Sequence, residues 1–408
     1  MKCRHCESEL TLPLVDLGSA PPSNAYLTEH SLHMPEKWFP LRVLVCDNCW
    51  LVQTEDFAQA DELFDEDYAY FSSISTSWLA HAERYVADMV ARFGLTGDSH
   101  VFEVAANDGY LLQYVRQKGI PCTGIEPTAS TAAAARDKGI AVIERFFGVA
   151  LADELVTAGQ QADLMVANNV LAHVPDINDF TAGFSALLKP DGVATFEFPH
   201  LMRLIKETQF DTIYHEHFSY LSLSAVDRIF KANGLVVFDV EELPTHGGSL
   251  RVFAQRADTG ERPRTEAVGK MLRREAEYGL TSANGYANFQ TRSDAVKDGF
   301  LRFLLEARHQ GKKVAAYGAA AKGNTLLNYA GVRPDLLPCV VDRNPAKQGK
   351  YLPGSRIPIV DEQYLREIRP DCILILPWNL KQEVMQQLDY VRDWDAQFVT
   401  AVPGLDIA

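Results

Sequence analysis

The chain has 408 residues, a formal net charge of −15 at pH 7 and 47% hydrophobic residues. Domains usually contain about 100–200 residues, so this length predicts two or three of them. The acidity argues against nucleic acid as a partner, because it repels phosphate backbones. The apolar runs are too short to cross a bilayer and no signal-peptide core follows Met1, so we expect a cytoplasmic protein without a membrane partner.

Two Cys-x-x-Cys pairs lie near the start of the chain, and its other three cysteines stand alone. The pairs are Cys3 with Cys6 and Cys46 with Cys49, separated by 39 residues. In a reducing compartment this spacing favours a tetrahedral Zn²⁺ site of four thiolates, and such a site is structural because no coordination position stays open. A redox dithiol or disulfides are the alternatives.

Residues 1–75 are expected to form an irregular zinc module that needs the metal as a staple, because only a few aromatic side chains supply its core. Its tail, residues 67–73, is rich in hydroxyl groups and includes Tyr68 and Tyr70. The tail is either a packing strip between two domains or a lid over the site of the next domain. A helical pattern over residues 77–92 follows it.

Alternating strand and helix patterns begin near residue 99 and predict a parallel sheet within a domain spanning residues 76–260. Residues 101–104 form the first predicted strand, residues 105–109 a small-residue turn, and residues 123–126 a strand that ends in a carboxylate. The interval from Asp108 to Glu126 resembles the Rossmann arrangement, in which an acidic residue binds ribose hydroxyls. The turn lacks Gly-x-Gly-x-x-Gly, however, and a nicotinamide-binding sheet is the alternative.

The turn instead resembles the first motif of class I S-adenosylmethionine (SAM) methyltransferases. Strands predicted at residues 163–167 and 192–197 continue the order, and residues 169–176 resemble the loop that closes over the cofactor. Ala105 departs from the pattern, since glycine is common at that position. The resemblance implies that SAM is bound by Glu103, Ala105, Asn107, Asp108, Gly109, Glu126, Pro127, Asn168 and Asn169.

Residues 210–220 concentrate proton-handling groups, with two tyrosines, two histidines and two carboxylates in eleven residues. His215 and His217 are two positions apart, so the segment lacks the His-Glu-x-x-His spacing of a zinc protease. Acid/base chemistry on a substrate is therefore the better interpretation. The alternative is an aromatic strand or loop with ordinary surface histidines.

A helical stretch at about residues 262–310 precedes a second α/β unit, and together they form the domain expected at residues 261–408. A strand at residues 313–318 runs into a glycine-bracketed turn and a helix, which offer backbone N–H groups to an anion. Lys322 adds a positive charge, and Asp342 closes the next strand in a position suited to a hydroxyl. This arrangement suggests a substrate with a diphosphate. A Rossmann-like scaffold used only for packing is the alternative.

Taken in order, these motifs resemble the nucleotide-sugar C-methyltransferase family, which includes the tetronitrose C-3′-methyltransferase, over essentially the whole chain. Besides the cysteine pairs, the motifs are Tyr-x-Tyr-Phe-Ser-Ser at 68–73, Glu-x-Ala-x-Asn-Asp-Gly at 103–109, Asn-Asn-Val-Leu-Ala-His-Val-Pro-Asp at 168–176, Tyr-His-Glu-His-Phe-Ser-Tyr at 214–220, Thr-His-Gly-Gly-Ser-Leu-Arg at 245–251 and Tyr-Gly-Ala-Ala-Ala-Lys-Gly at 317–323. The resemblance implies an α/β fold: a class I SAM methyltransferase Rossmann-like domain, preceded by a small zinc-binding module and followed by a second Rossmann-like domain. We expect a monomer.

The resemblance also implies the reaction, which is SAM-dependent methylation at carbon 3 of a nucleotide-diphosphate 4-keto-deoxysugar in branched-chain deoxysugar biosynthesis. Carbon must lose a proton before it can attack a methyl group, so the enzyme needs a base and a stabiliser for the enolate. By resemblance, His217 is the base. Tyr214 donates to the 4-oxygen or holds the base, and Glu216 orients a histidine or binds the sugar.

The remaining candidates are expected around the reacting sugar or at the second, phosphate-suited sheet. Tyr68 and His173 join the catalytic set, and the expected substrate-binding residues are Tyr70, His173, His215, His246, Tyr317, Gly318, Lys322 and Asp342. His246 lies in residues 245–251, which form either a strand and turn beside the pocket or a purely structural hairpin. Arg251 is equally suited to pair with a surface carboxylate. Two other functions stay open: a nicotinamide-dependent nucleotide-sugar oxidoreductase, and a non-catalytic zinc and methyltransferase-like scaffold.

Overall fold

A computed structural model describes residues 1–55, 57 and 71–408. Tyr68 and Tyr70 lie outside the described residues. No helix in the described ranges is long and apolar enough to cross a membrane.

The first sheet has four strands in the order β1-β2-β3-β9, and all its pairings are antiparallel. Three strands come from the N-terminal region: β1 (Leu12–Ala20), β2 (Phe39–Val45) and β3 (Val52–Thr54). The fourth, β9 (Ser219–Tyr220), comes from the proton-handling segment and pairs with β3. The N-terminal sheet therefore includes a strand that lies more than 150 residues further along the chain.

The central sheet has seven strands in the order β10-β11-β8-β7-β4-β5-β6. They are β4 (Val101–Val104), β5 (Cys122–Ile125), β6 (Ala141–Ile143), β7 (Ala162–Asn168), β8 (Leu188–Pro199), β10 (Leu235–Leu243) and β11 (Ser249–Arg256). Five neighbouring strands, β8, β7, β4, β5 and β6, pair in parallel. β11 is antiparallel to both of its neighbours. The strand order reverses direction between β4 and β7, where ligands bind in open parallel sheets.

The C-terminal sheet has six strands in the order β14-β13-β12-β15-β16-β17, and only β17 is antiparallel to its neighbour. They are β12 (Val314–Tyr317), β13 (Val340–Val341), β14 (Ile359–Val360), β15 (Cys372–Ile375), β16 (Gln397–Thr400) and β17 (Asp406–Ile407). Its order reverses between β12 and β15, so a second crevice lies beyond the carboxyl ends of those strands.

The helices of the described residues connect the strands. The α-helices are α1 (Thr76–Phe93), α2 (Leu112–Gln117), α3 (Ala129–Asp137), α4 (Val149–Thr157), α5 (Ile177–Leu187), α6 (Leu201–Lys206), α7 (Leu223–Ala232), α8 (Glu266–Tyr278), α9 (Phe289–His309), α10 (Ala321–Tyr329), α11 (Gln363–Ile368) and α12 (Lys381–Gln387). The 3₁₀-helices are Ser31–His33, Ser72–Ile74, Leu171–His173, Phe210–Thr212, Thr245–Gly247, Ala283–Tyr286, Trp378–Leu380 and Asp389–Trp394.

Local chemistry accounts for the ends of these helices. The Ser75 hydroxyl accepts a hydrogen bond from the backbone N–H of Trp78 at 3.2 Å, which caps α1. The helical stretch expected near residues 262–310 is divided into α8 and α9. Gly279 ends α8 at φ +100°, and a Cβ there would lie 3.0 Å from the backbone of Gly285. Such a turn requires glycine.

One buried cluster joins three regions of the chain: the N-terminal sheet, residues 201–213 that follow β8 of the central sheet, and the C-terminal sheet with its helices. It includes Val43 of β2, Phe210 and Ile213 of the proton-handling segment, Leu326 of α10 and Leu374 of β15. Apolar side chains from all three regions thus lose their contact with water together, which favours a fixed arrangement of the regions. The proton-handling segment lies where the three regions meet.

Candidate active site

Residues 210–220 are held by hydrogen bonds from three directions. The Phe218 N–H donates to the carbonyl of Ala172 at 2.8 Å, in the loop after β7. The Thr54 hydroxyl, on β3, donates to the carbonyl of His217 at 3.1 Å. The Thr325 hydroxyl, on α10, donates to the carbonyl of Ile213 at 2.8 Å. Each of the three regions therefore fixes a different part of the segment.

His217 has the geometry of a general base. Its Nδ1 lies 3.0 Å from the carbonyl oxygen of Thr212, which can only accept, so Nδ1 carries the proton and Nε2 keeps its lone pair in the neutral ring. Its ring centroid lies 4.0 Å from that of Tyr214 and 4.6 Å from that of His173. Burial, and then the positive charge that His173 can carry, lower the pKa of His217 well below the ordinary value. The imidazole is therefore neutral near pH 7.

Glu216 points toward the N-terminal region and His215 does the same. One carboxylate oxygen of Glu216 accepts from the Nδ2 of Asn24 at 3.1 Å, and its second oxygen has no partner among the described residues. Burial raises the pKa of Glu216. The Nε2 of His215 lies 3.3 Å from the carbonyl oxygens of Phe39 and Pro40. The structure does not bring His215 into contact with the His217 ring.

His246 is joined to the loop that follows β7. Asn169 donates from Nδ2 to the Nε2 of His246 at 3.1 Å. The ring of Trp78, on α1, lies edge-on at a centroid distance of 5.2 Å and also stacks on Tyr110 at 5.8 Å. Residues 245–251 therefore form a 3₁₀ turn and the start of β11, which pairs antiparallel with β10. A contact of this turn with the substrate stays a prediction.

Glu197 is a site residue that the sequence argument missed. It is fully buried at the carboxyl end of β8 and accepts hydrogen bonds from His81 at 2.9 Å, Thr245 at 2.9 Å and Arg251 at 3.0 Å. Burial would raise its pKa, but His81 and Arg251 overcome that effect and lower it. Arg251 thus pairs with a buried carboxylate as well as with the partly exposed Glu241. A carboxylate that ends an apolar strand was the available signal.

The loop after β4 contains three residues in the left-handed region: Ala105 at φ +57°, Asn107 at φ +48° and Gly109 at φ +75°. A Cβ on Gly109 would lie 2.3 Å from a side-chain carbon of Ile140, so only glycine fits there. Glu126 accepts from the N–H of Asn107 at 2.8 Å, which ties the loop to the end of β5. Pro127 follows Glu126 in the turn toward α3.

Polar groups without partners lie at the same edge of the central sheet. Both carboxylate oxygens of Glu103 and both amide atoms of Asn168 are buried without hydrogen-bond partners in the described part of the chain. Burial raises the pKa of Glu103 well above the ordinary value. Buried polar groups are normally hydrogen-bonded, so the arrangement fits a polar ligand between β4 and β7. Asp108 instead pairs with Lys138, at 3.2 Å.

The tail before α1 also contacts this loop. The Ser72 N–H donates to the Asn107 side chain at 2.9 Å, and the Ser73 N–H donates to Asp108 at 3.3 Å. Lys138 donates to the Ser73 hydroxyl at 2.7 Å. The described end of the tail therefore lies on the candidate cofactor loop.

Lys322 lies at the crevice of the C-terminal sheet. Its Nζ donates to the Asn379 side chain at 2.6 Å and lies 4.8 Å from the ring centroid of Trp378. Trp378 donates from Nε1 to Asp211 at 2.7 Å, which links the crevice to the proton-handling segment. Burial raises the pKa of Asp211 to about 6, and the Lys322 charge opposes that shift. Asp211 was counted among the carboxylates of residues 210–220 but was given no role, and Trp378 was missed.

The other C-terminal candidates contact their own domain. Asp342 accepts from the N–H of Ala319 at 2.7 Å and so holds the turn after β12. The Tyr317 hydroxyl is bonded to Gln387, within a separate buried cluster. Gly318 has φ +90°, and a Cβ there would lie 2.5 Å from Pro377. The structure does not bring Tyr317 into contact with His217.

The two cysteine pairs form one cluster. Their four Sγ atoms lie within 4.8 Å of one another, and Cys3–Cys49 and Cys6–Cys46 are each separated by 3.5 Å. All four thiols are free. Tetrahedral Zn–S bonds of about 2.3 Å place sulfur atoms about 3.8 Å apart, so the cluster fits Zn²⁺.

Three family models match consecutive parts of the chain. Their descriptions are "Putative zinc binding domain" over residues 3–64, "Methyltransferase domain" over residues 78–240 and "C-methyltransferase C-terminal domain" over residues 244–403. Together with the cysteine cluster and the two Rossmann-like sheets, these matches define a methyltransferase and confirm the expected fold class.

Among curated proteins, C-methyltransferase NovU from Streptomyces niveus is 36% identical over 402 residues, which cover 98% of this chain and 95% of NovU. The chain therefore belongs to the C-methyltransferase family of which NovU is a member. This assignment favours methyl transfer over the oxidoreductase and scaffold alternatives.

Solved structures with more distant sequences also match. Magnesium protoporphyrin IX methyltransferase from Synechocystis PCC 6803 with bound SAM is 17% identical, has a TM-score of 0.34 and matches 44% of this chain and 79% of its own. The 1,6-didemethyltoxoflavin-N1-methyltransferase from Burkholderia thailandensis is 16% identical, has a TM-score of 0.37 and matches 51% of this chain and 96% of its own.

Proposed function

We propose that this C-methyltransferase uses SAM to methylate carbon 3 of a nucleotide-diphosphate 4-keto-deoxysugar, in the biosynthesis of branched-chain deoxysugars. The observation that carries the proposal is the neutral His217 ring. Its Nδ1 proton is committed to Thr212, and its Nε2 lone pair is available at the junction of the three regions. A buried neutral imidazole is suited to removing a carbon-bound proton near neutral pH.

The chemistry proceeds in two steps. Nε2 of His217 takes the proton from carbon 3, and the electron pair of the broken C–H bond moves toward the 4-oxygen to form an enolate. Carbon 3 then attacks the methyl group, and the proton on His217 passes to solvent. When bound, SAM supplies that methyl group on a positively charged sulfur, which leaves as a neutral thioether. The contact of Tyr214 with the His217 ring holds the base or presents a donor to the 4-oxygen.

SAM is proposed to bind between β4 and β7. The unpartnered side chains of Glu103 and Asn168 support this placement, because they offer hydrogen bonds that the described residues do not use. Glu126 is positioned for ribose hydroxyls at the end of β5. The proposed set is Glu103, Ala105, Asn107, Asp108, Gly109, Glu126, Pro127, Asn168 and Asn169.

The nucleotide sugar is proposed to bridge the two crevices. Lys322 and the turn after β12 would face its diphosphate, while His173, His217 and Glu216 would surround the sugar ring. The unpartnered oxygen of Glu216 supports a contact with a sugar hydroxyl or amine. The full proposed substrate set is Tyr70, His173, His215, His246, Tyr317, Gly318, Lys322 and Asp342, with Tyr68 as a further catalytic residue. Zn²⁺ is proposed to be structural, and the protein to be a cytoplasmic monomer.

A substrate screen tests the proposal. Purified protein is incubated with SAM and with dTDP-, GDP- or CDP-linked 4-keto sugars, mass spectrometry detects the gain of one methyl group, and NMR locates it on carbon 3. His217→Ala should abolish both methylation and solvent deuterium exchange at carbon 3, whereas His33→Ala, at an exposed position, should change neither. Wild-type protein that neither methylates nor exchanges any of these sugars would contradict the proposal.

A further inference from the structure

His246 has a backbone conformation that its own side chain does not favour. It lies at φ +54° and ψ +23°, in the left-handed region, where a non-glycine residue costs about 1–2 kcal/mol. The following Gly247, at φ +89°, is fixed by Trp378, because a Cβ there would lie 2.4 Å from the indole ring. Packing against the C-terminal domain therefore stabilises the strained turn, and strain of this kind concentrates at functional sites.

The ring of His246 has a defined tautomer. Asn169 donates to its Nε2, so the single proton of the neutral imidazole resides on Nδ1. No group among the described residues hydrogen-bonds this Nδ1, and the His246 side chain is only partly buried. Among the described residues the Nδ1–H is therefore a hydrogen-bond donor without an acceptor, and it is suited to a ligand.

The surroundings of His246 keep it neutral. Burial lowers its pKa to about 4, and the positive charge of Lys322 acts in the same direction. Glu197 opposes the shift and His81 reinforces it. A neutral imidazole at the cleft cannot protonate the substrate as an ordinary acid, but it can donate a hydrogen bond, as histidine does in other enzymes that form enolates.

One loop places His246 and His217 at the same cleft. Asn169 holds the His246 ring, and His173, four residues later, contacts the His217 ring at a centroid distance of 4.6 Å. The charge that His246 can carry also lowers the pKa of His217, so the two rings lie close to each other. A ketone that loses its neighbouring proton develops negative charge on oxygen, which a fixed donor stabilises more than it stabilises the ketone itself.

We propose that His246 is a catalytic residue whose Nδ1–H donates a hydrogen bond to the 4-oxygen of the ketosugar as it becomes an enolate. This inference rests on the proposed function and leaves Tyr214 to hold the His217 ring. The proton stays on Nδ1 throughout, so His246 neither gains nor loses one over the reaction.

Deuterium exchange at carbon 3 isolates formation of the enolate from methyl transfer. The enzyme is loaded with S-adenosylhomocysteine and given a 4-keto sugar that the wild type methylates, and exchange at carbon 3 is followed in D₂O. His246→Asn keeps a residue that tolerates the left-handed backbone, so it removes mainly the imidazole. We expect exchange to slow by about 10²-fold, as when one oxyanion donor is lost, with the KM for SAM unchanged. Exchange at the wild-type rate, or a defect confined to the KM for SAM, would overturn the proposal.

The tautomer gives a readout that does not need a substrate. In ¹⁵N-histidine NMR of the wild type, His246 should show the Nδ1–H form near pH 7. Asn169→Asp replaces the donor with an acceptor, so it should move the proton to Nε2 and slow exchange as His246→Asn does. An Nε2–H tautomer or an imidazolium in the wild type would contradict the assignment. A wild type that exchanges no ketosugar would instead refute the proposed function.

Discussion

Burial determines the protonation states of the residues in the cleft. His173, His217 and His246 all have pKa values below the ordinary value of histidine, with burial as the main cause. A base acts when it is unprotonated, so exchange at carbon 3 should rise with pH through the pKa of His217 and then level off. These lowered pKa values place the acidic limb of the pH profile of the exchange rate well below pH 6.5.

Substitution of Lys322 tests whether a neighbouring charge contributes to the low pKa of His217. Its charge is one of the factors that lower the pKa of His217, after burial, His173 and His246. Lys322→Met should therefore raise the pKa of His217 and move the acidic limb of kcat/KM for deuterium exchange to higher pH. Lys322→Arg keeps the charge and should leave the limb near its wild-type position. An acidic limb that Lys322→Met does not move would refute this coupling.

Two neighbouring alanines of the cofactor loop should respond differently to substitution by glycine. Ala105 lies at φ +57°, whereas Ala106 is fully buried and is not at positive φ. Ala105→Gly should raise the free energy of unfolding by about 0.5–1 kcal/mol, because glycine adopts the left-handed region without steric cost. Ala106→Gly should lower it by about 1 kcal/mol or more through lost burial and added backbone entropy. Denaturant unfolding measures both, and equal effects in the two variants would contradict the argument.

The sequence suggested a base and a cofactor loop but not the contacts that support them. His217, Glu103 and Glu126 lie in motifs whose order along the chain is specific, so they could be proposed from the family resemblance that those motifs carry. Asp211, Glu197 and Trp378 acquire their roles from contacts across the fold, and spacing along the chain contains no record of those contacts. The roles proposed for the site residues stay predictions.

At the scale of elements, α8 supports the neighbouring helix through one side chain. Glu275 is fully buried, pairs with His200 at 2.7 Å and accepts from the N–H groups of Leu223 and Ser224, each at 2.7 Å. A carboxylate at the N-terminus of α7 satisfies donors that have no partner within the helix and favours its dipole.

Removing that carboxylate should be costly. Glu275→Ala leaves buried donors without a partner and should lower the free energy of unfolding by about 3–5 kcal/mol. Glu277→Ala, at an exposed position on the same helix, should change it by no more than about 0.5 kcal/mol. Urea titration followed by circular dichroism compares the two, and similar midpoints would show that Glu275 has no such role.

Strands of the two Rossmann-like sheets were largely predictable, and β9 was not. Residues 164–167 and 372–375 are apolar runs that are buried on both faces, which is the pattern of central parallel strands. β9 has only two residues, and its partner β3 lies far away in the sequence. Two strands that are so short and so far apart in the sequence leave no residue pattern that predicts their pairing.

At the scale of the whole molecule, the cysteine cluster and the active site are mechanically connected. The cluster flanks β3, and β3 pairs with β9 immediately after His217. Loss of the metal should therefore disturb catalysis, although the metal is proposed to be structural. The proposed domain boundaries after residues 75 and 260 stay predictions.

Two cysteine substitutions, one inside the cluster and one outside it, test this connection. Cys49→Ser should remove zinc, lower the melting temperature and reduce methylation, because a four-thiolate site stabilises a module with a small core. Cys122→Ser, on β5 of the central sheet, should keep one zinc per chain. Elemental analysis and thermal unfolding give the readouts. Full zinc content in Cys49→Ser would contradict the four-cysteine site.

The pairing of β3 with β9 also limits how such enzymes can exchange parts. A chimaera joined near residue 75 would take β1, β2 and β3 from one parent and Ser219 and Tyr220 from the other, so the seam would run through a sheet. Grafting residues 210–220 together with the N-terminal module would keep both halves of that pairing from one parent. Recombination among relatives should therefore tolerate inheritance of these two distant segments as a unit better than their separation.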